Sequence, residues 1–324
     1  MMCPSILQVC LDLIGVVVLS DLRTSAERTA LRGACMLDAL VLCPGLHRQK
    51  DASALHAGEF PACAAMTTGY VFRVENPATV AYLQRVGRTG HLTTIVIRTT
   101  ARQTDKDAIL SVSVASVSYS AAVVSTLTVL GTLISVGDWW AVMVMLTLCS
   151  VRLLNAVVLE RRAQTRWHGA KEPGKTSDLL VLLSYDRWIR IQGLTDDVKA
   201  VTSGRWLREP TAIEGALTAT ATLLTYINAA LAANASSKGK MLLLLLFVGS
   251  AALLGLANMF TTSLVMKGRL VEVVGDRRTY NRRRDLADEL IREHGRDDWA
   301  IAMGMIVATD RDTFDRKLPG PVHM

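Results

Sequence analysis

The chain has 324 residues, half of them hydrophobic, a formal net charge of +7 and a mean hydropathy of +0.29. That hydropathy is high for a soluble domain, and the length suits one large or two modest domains. The positive balance comes without an arginine–aromatic nucleic-acid module, so no nucleic-acid partner is implied.

Residues 1–108 read as an irregular N-terminal region. Ile6 to Ser20 is apolar but short, contains Asp12 and has no basic residue before it, unlike a signal peptide. It reads as a short apolar helix over 6–20, a fifth span, an interfacial helix or a core strand. Residues 21–66 show neither helical nor strand periodicity. Cys3, Cys10, Cys35, Cys43 and Cys63 lie before residue 64, and none forms a C-x-x-C pair, so neither zinc nor redox chemistry is signalled. Thr93 to Thr100, TTIVIRTT, is β-branched and reads as a strand.

Two stretches without charge follow, Ala108–Gly137 and Met241–Met266, each longer than the roughly 20 helical residues that cross a bilayer. Trp139–Leu159 is apolar apart from Arg152, and Gly215–Ala235 is uncharged and rich in Ala and Thr, which suits close helix packing. The four spans read as two transmembrane hairpins, residues 109–159 and 211–266, joined by a segment 160–210 and followed by a helical tail 267–324. Trp139 and Trp140 sit at the first tight turn, where aromatic belts lie. Residues 160–210 carry ten Lys/Arg and the tail twelve, against Lys238 and Lys240 in the second tight turn. The positive-inside rule therefore puts the soluble regions and the termini in the cytosol.

GAKEPGKTS, Gly169–Ser177, satisfies the P-loop spacing G-x-x-x-x-G-K-[ST]. A working P-loop follows a buried strand and opens a helix, whose amides converge on phosphate. Here a basic stretch precedes it and SDLLVLLSYDRWIRIQG follows, which is no helix opening. The segment reads as a Gly/Pro turn with solvated lysines, and no cofactor is expected. Thr195 is placed to cap a short helix with Asp196 and Asp197 in its first turn and Gly204 at its end. In the tail, Asn281–Gly295 reads as an amphipathic helix, and a second helix begins at Asp297 or Asp298. The expected fold is thus a mainly α, helical integral membrane protein with a small cytosolic α/β element between its hairpins.

The candidate site residues are Arg152, Asp186 and Arg187. Arg152 is an intramembrane charge, a functional signal by default, although it lies close enough to the span's end to snorkel. Asn155, Tyr226, Asn228 and Asn258 are polar groups inside spans that either line a cavity with it or bond helix to helix. Asp186, Arg187 and Lys199 fall in the middle segment, as a site or as structural ion pairs. G-x-S-x-G, H-E-x-x-H and a strand-following GxGxxG are all absent, and the histidines lack metal spacing, so no metal is expected.

DLLVLLSYDRWIRIQGLTDDVKAVTSGRWL, the DWWAVMVMLTLCSVRLLNAVV span and RRRDLADELIREHGRDDWAIAMGMI together resemble a family of largely uncharacterised fungal polytopic membrane proteins, over about residues 95–306. Some members occur beside genes for polyketide-type secondary metabolites. The resemblance implies a membrane protein that assists cyclisation or isomerisation of an apolar polyketide-derived intermediate without a cofactor. The alternative is a non-catalytic membrane scaffold for pathway enzymes. The partners implied are the lipid bilayer, pathway enzymes and an apolar small molecule.

Overall fold

A computed structural model describes residues 14–99, 113–163 and 169–307. The start of the apolar stretch at 6–13, the first residues of the Ala108–Gly137 run and the end of the tail lie outside them. In chain order the helices are α1 (Ile14–Val18), α2 (Thr24–Arg32), α3 (Pro77–Val86), α4 (Val114–Val136), α5 (Trp139–Ala163), α6 (Thr195–Thr202), α7 (Ala212–Leu231), α8 (Ser237–Met259), α9 (Arg283–His294) and α10 (Asp298–Ala302). The strands are β1 (Ala62–Ala65), β2 (Val71–Arg73), β3 (His91–Thr99), β4 (Thr176–Leu183), β5 (Arg187–Leu194), β6 (Leu264–Met266), β7 (Arg269–Val273) and β8 (Arg278–Thr279).

These elements form two compact units, each assembled from three separated stretches. One holds the described residues of 14–57, 113–163 and 205–268, the other those of 58–99, 169–204 and 269–307. The sequence reading divides the chain consecutively instead. It leaves 21–66 without structure, yet α2 and 3₁₀ turns at Met36–Leu40 and Leu46–Ala54 occupy that stretch. Short 3₁₀ pieces carry no long period, which is why periodicity misses them.

In the helical unit, α4, α5, α7 and α8 are long and apolar enough to cross a membrane. Large apolar side chains such as Val124, Leu127, Leu146, Leu223, Leu245 and Val248 stay exposed on them, as a lipid-facing surface requires. The closest helix packing runs between α4 and α8 and between α5 and α7, rather than within the sequence-adjacent pairs. The expected pairing into two hairpins is therefore not confirmed by the contacts. The core joins Leu133, Val144, Met145, Leu148, Leu243, Leu246, Phe247 and Leu254 with Ile14, Val41, Leu42 and Leu46.

Asp138 ties two helix starts together. One carboxylate oxygen accepts from the Ala141 amide at 3.1 Å, in the first turn of α5. The other accepts from the Ser236 amide at 2.9 Å and hydroxyl at 2.6 Å, and the Ser236 hydroxyl in turn caps α8 by accepting from the Gly239 amide at 3.1 Å. A Cβ on Gly239 would fall 2.0 Å from the Asp138 carboxylate, so glycine permits this approach.

The sheet unit is the part the sequence reading most understates. Its sheet is mixed: β1 pairs antiparallel with β2 and β4, β4 with β5 and β3 with β7, while β3 runs parallel to β5. The β4–β5 hairpin turns at Tyr185 and Asp186, both left-handed with φ of 62° and 51°. Alternation along the strands sorts the side chains. Leu180 and Trp188 face a core with Leu286, Leu290 and Ile291 of α9 and Trp299 of α10. On the other face Gly193 meets Val198 of α6, and Ile189 and Leu183 lie beside Gly87 at the end of α3. Asn76 caps α3, accepting from the Ala78 and Thr79 amides at 3.2 and 3.3 Å.

Candidate functional site

The P-loop spacing does not build a P-loop. Gly169 and Gly174 are left-handed, with φ of 85° and 79°, and Thr176 opens β4 instead of a helix. No row of helical amides converges at this point, so the cradle that defines a phosphate loop is missing. The segment nevertheless forms one wall of a cleft of about 580 Å³ in the sheet unit.

Three stretches supply that cleft. The β1–β2 hairpin gives Thr67, Thr68, Tyr70, Phe72 and Arg73; the glycine loop and the start of β4 give Glu172, Lys175, Thr176, Ser177 and Leu179; α6 gives Thr195, Val198 and Lys199. Strand alternation explains the lining, because Ser177 and Leu179 point to the α6 face while Asp178 and Leu180 point to the other. Tyr70 and Phe72 stack at 5.8 Å on the rim. The Ser177 and Thr195 hydroxyls bond at 2.8 Å across the floor. This bond takes the Thr195 side chain away from the expected capping role: Leu194 is the N-cap residue of α6 and gives no side-chain cap bond.

Glu172 organises the charge in the wall. One carboxylate oxygen accepts from Lys175 Nζ at 2.9 Å and the other accepts from Lys199 Nζ. Lys199 also donates to the Ala170 carbonyl at 3.0 Å, and the Glu172 amide donates to Asp196 at 2.8 Å. Hydrogen bonds from Lys199 and Lys175 hold the Glu172 carboxyl down at about 2. It is therefore ionised at neutral pH and a weak proton acceptor.

A second polar cluster lies on the opposite face of the sheet. Arg190 Nε donates to both Asp178 oxygens at 2.9 and 3.0 Å, and its terminal nitrogens reach Glu293 at 2.9 and 2.6 Å. Gln192 donates to Asp178 at 2.9 Å. His294 faces the Leu290 carbonyl through Nδ1 at 3.0 Å and Asp178 through Nε2 at 3.3 Å. Asp178, Glu293 and His294 have ligand atoms within 4.8 Å of one another, the spacing a metal ion needs. The Arg190 guanidinium already stands between the two carboxylates and supplies the positive charge a metal would bring, so the donor set fits an ion-pair network rather than a metal centre.

The sequence-derived candidates are not brought together. Arg152 is fully buried in the helical unit, where Nε donates to the Asp38 carbonyl at 3.1 Å and Nη1 bonds the Ser25 hydroxyl. It holds the 36–40 turn and α2 against α5 and does not snorkel. Its neighbour Asp38 accepts from the Cys35 amide at 2.9 Å and the Tyr119 hydroxyl at 2.8 Å. Asn228 donates to the Val144 carbonyl at 3.0 Å and Asn258 to the Thr24 carbonyl at 2.8 Å, both ties within the helical unit. Asn155 stands 3.5 Å from the Leu46 carbonyl, and the Tyr226 ring lies 6.1 Å from that of His47.

Asp186 and Arg187 belong to the sheet unit, at the β4–β5 turn. Asp186 pairs with Arg283 at 2.5 Å on the surface. Arg187 donates to the Ser184 and Gln84 carbonyls, each at 2.9 Å. Both brace the hairpin, and neither lines the cleft of about 580 Å³. Of the residues weighed from sequence, Lys199 lines the cleft together with Lys175 and Thr176 of the P-loop spacing and Thr195 of the expected cap. Tyr70, Phe72 and Arg73 carry no motif, Glu172 fills a variable position of the P-loop spacing, and the four meet only through the sheet. Comparison with family models, with curated proteins and with solved structures finds no match to this chain.

Proposed function

We propose that this is a multi-pass membrane protein of fungal secondary metabolism that holds an amphipathic organic intermediate in the cleft of its sheet unit, assisting its cyclisation or isomerisation. The cleft carries the proposal. Its volume of about 580 Å³ suits a small organic molecule, and it sets Leu179, Val198 and stacked aromatics against hydroxyls and lysines. Such a lining can hold a flexible chain folded by contact alone, which lowers the entropy cost of ring closure. Asp186 and Arg187 are held in structural bonds, and Arg152 gives Nε and Nη1 to Asp38 and Ser25 with Nη2 unpartnered among the described residues, which favours the cleft over the spans for the intermediate. The pathway role rests on the resemblance of the 95–306 blocks. The Lys/Arg distribution favours a cytosolic position for the residue 160–210 segment and the tail.

The second reading is a scaffold for pathway enzymes, favoured by the exposed arginines 277, 278 and 282–284. One experiment separates the two. Thr67 is exposed on the cleft wall, and Thr67→Trp fills the cleft without touching those arginines. In a strain lacking the native gene, Thr67→Trp should abolish the product at unchanged protein abundance, and Ala at the five arginines should leave it. The opposite result moves the assignment to the scaffold.

A further inference from the structure

We propose that Glu172 is a built-in stand-in for a ligand carboxylate: an organic acid enters the cleft, takes the Lys175 and Lys199 ammonium groups, and displaces Glu172. The inference rests on the cleft being the ligand site and adds the ligand's charge and the group it replaces. Two lysines from different elements, the glycine loop and α6, converge on the two oxygens of one carboxylate at a cleft wall. A pair of ammonium groups spaced to take one carboxylate is a carboxylate site whoever fills it.

The present occupant is able to leave. Glu172 stands between Gly169 and Gly174, both left-handed, with nothing around the Gly174 Cβ position and only the Lys199 side chain 4.0 Å from that of Gly169. The Glu172 amide stays on Asp196, and rotation about the side-chain bonds alone takes its carboxylate off the lysines. The Glu172 side chain is 35% exposed, so it transfers to water at small cost once the lysines have another anion. A monocarboxylate matches because the group it replaces is one. The apolar body of the acid then lies along Leu179 and Val198 under Tyr70 and Phe72. The same arrangement lets Glu172 keep the lysines neutralised in the empty cleft.

The test uses the full chain in neutral phosphatidylcholine nanodiscs, titrated with decanoate and with decanamide as the uncharged control. Decanoate should bind about tenfold tighter than decanamide, the factor of one charge-assisted hydrogen bond. Glu172→Gln should tighten decanoate by about tenfold and leave decanamide unchanged, because the competing charge is gone. Lys175→Gln and Lys199→Gln should each reduce the preference for the acid, and the double variant should remove it. Equal affinity for the two probes, or Glu172→Gln weakening decanoate, overturns the inference. Decanamide binding that Thr67→Trp blocks would still leave the cleft as the organic site. If Thr67→Trp affects neither probe, the cleft assignment falls as well.

Discussion

Replacing Arg190 with Met puts a defined load on the sheet unit. Arg190 is 7% exposed and Asp178 is nearly as buried, whereas the Glu293 side chain is 45% exposed. Removing the guanidinium therefore strands one carboxylate, not two, since Glu293 can turn to water. Losing one partner of a buried pair costs about 3–5 kcal/mol. Asp178 keeps its bonds from Gln192 at 2.9 Å and from His294 at 3.3 Å, so the lower end applies, about 3 kcal/mol. The two units need not unfold together, so a local readout is needed. Hydrogen exchange of the β4 and β5 amides reports opening of this hairpin. Protection should fall by about 3 kcal/mol in Arg190→Met, roughly a hundredfold in the open population. Arg190→Met with Asp178→Leu should recover most of it, because an apolar replacement of the whole pair leaves no stranded charge. A loss under about 1 kcal/mol, or a double variant no better than the single one, rules out a stranded Asp178 carboxylate as the cause.

The same network predicts a pH dependence. The Arg190 hydrogen bonds hold the Glu293 carboxyl below its ordinary range. A depressed folded-state value contributes stability that is present above the unfolded value near 4.3 and is lost as pH falls through the folded one. Thermal melts should thus show Glu293→Gln weaker than wild type at pH 7, with the gap closing below about pH 4. Asp138→Ala removes an α5 cap and both Ser236 bonds and should cost about 3 kcal/mol in detergent unfolding; Asn should recover part of it. Gly239→Ala, whose Cβ would lie 2.0 Å from the Asp138 carboxylate, should break the same tie, and a double variant that costs little more than Asp138→Ala alone would confirm the shared cause. Cysteines placed at Lys171 and Arg292, both exposed, should react with an impermeant reagent from the same side of sealed vesicles; labelling from opposite faces refutes an even number of spans between them.

Four candidate spans were legible in the sequence because membrane helices answer to a local rule. About twenty residues must be apolar, whatever they touch. Val114–Val136 and Ser237–Met259 obey it without reference to the rest of the chain. The strand at His91–Thr99 and the helix ending at Gly295 were legible for the same reason: β-branched content and a left-handed glycine cap act within a few residues. The P-loop match was decided locally too, since the residues after Thr176 alternate as a strand.

What tertiary structure alone decided is which distant stretches meet. No periodicity announces that residues 62–73, 91–99, 176–194 and 269–279 share one sheet, because strand pairing is set by long-range register and burial. The Leu179 side chain reaches the cleft while that of Asp178 reaches Arg190, a split that exists only once β4 is embedded with helices on both faces. Arg152 shows the limit most clearly. As a charge in a span it reads as functional, yet its partners Ser25 and Asp38 lie more than a hundred residues away in sequence, in a stretch that carries no period. Glu172, by contrast, is an unremarked residue of a basic turn until α6 brings Lys199 to it.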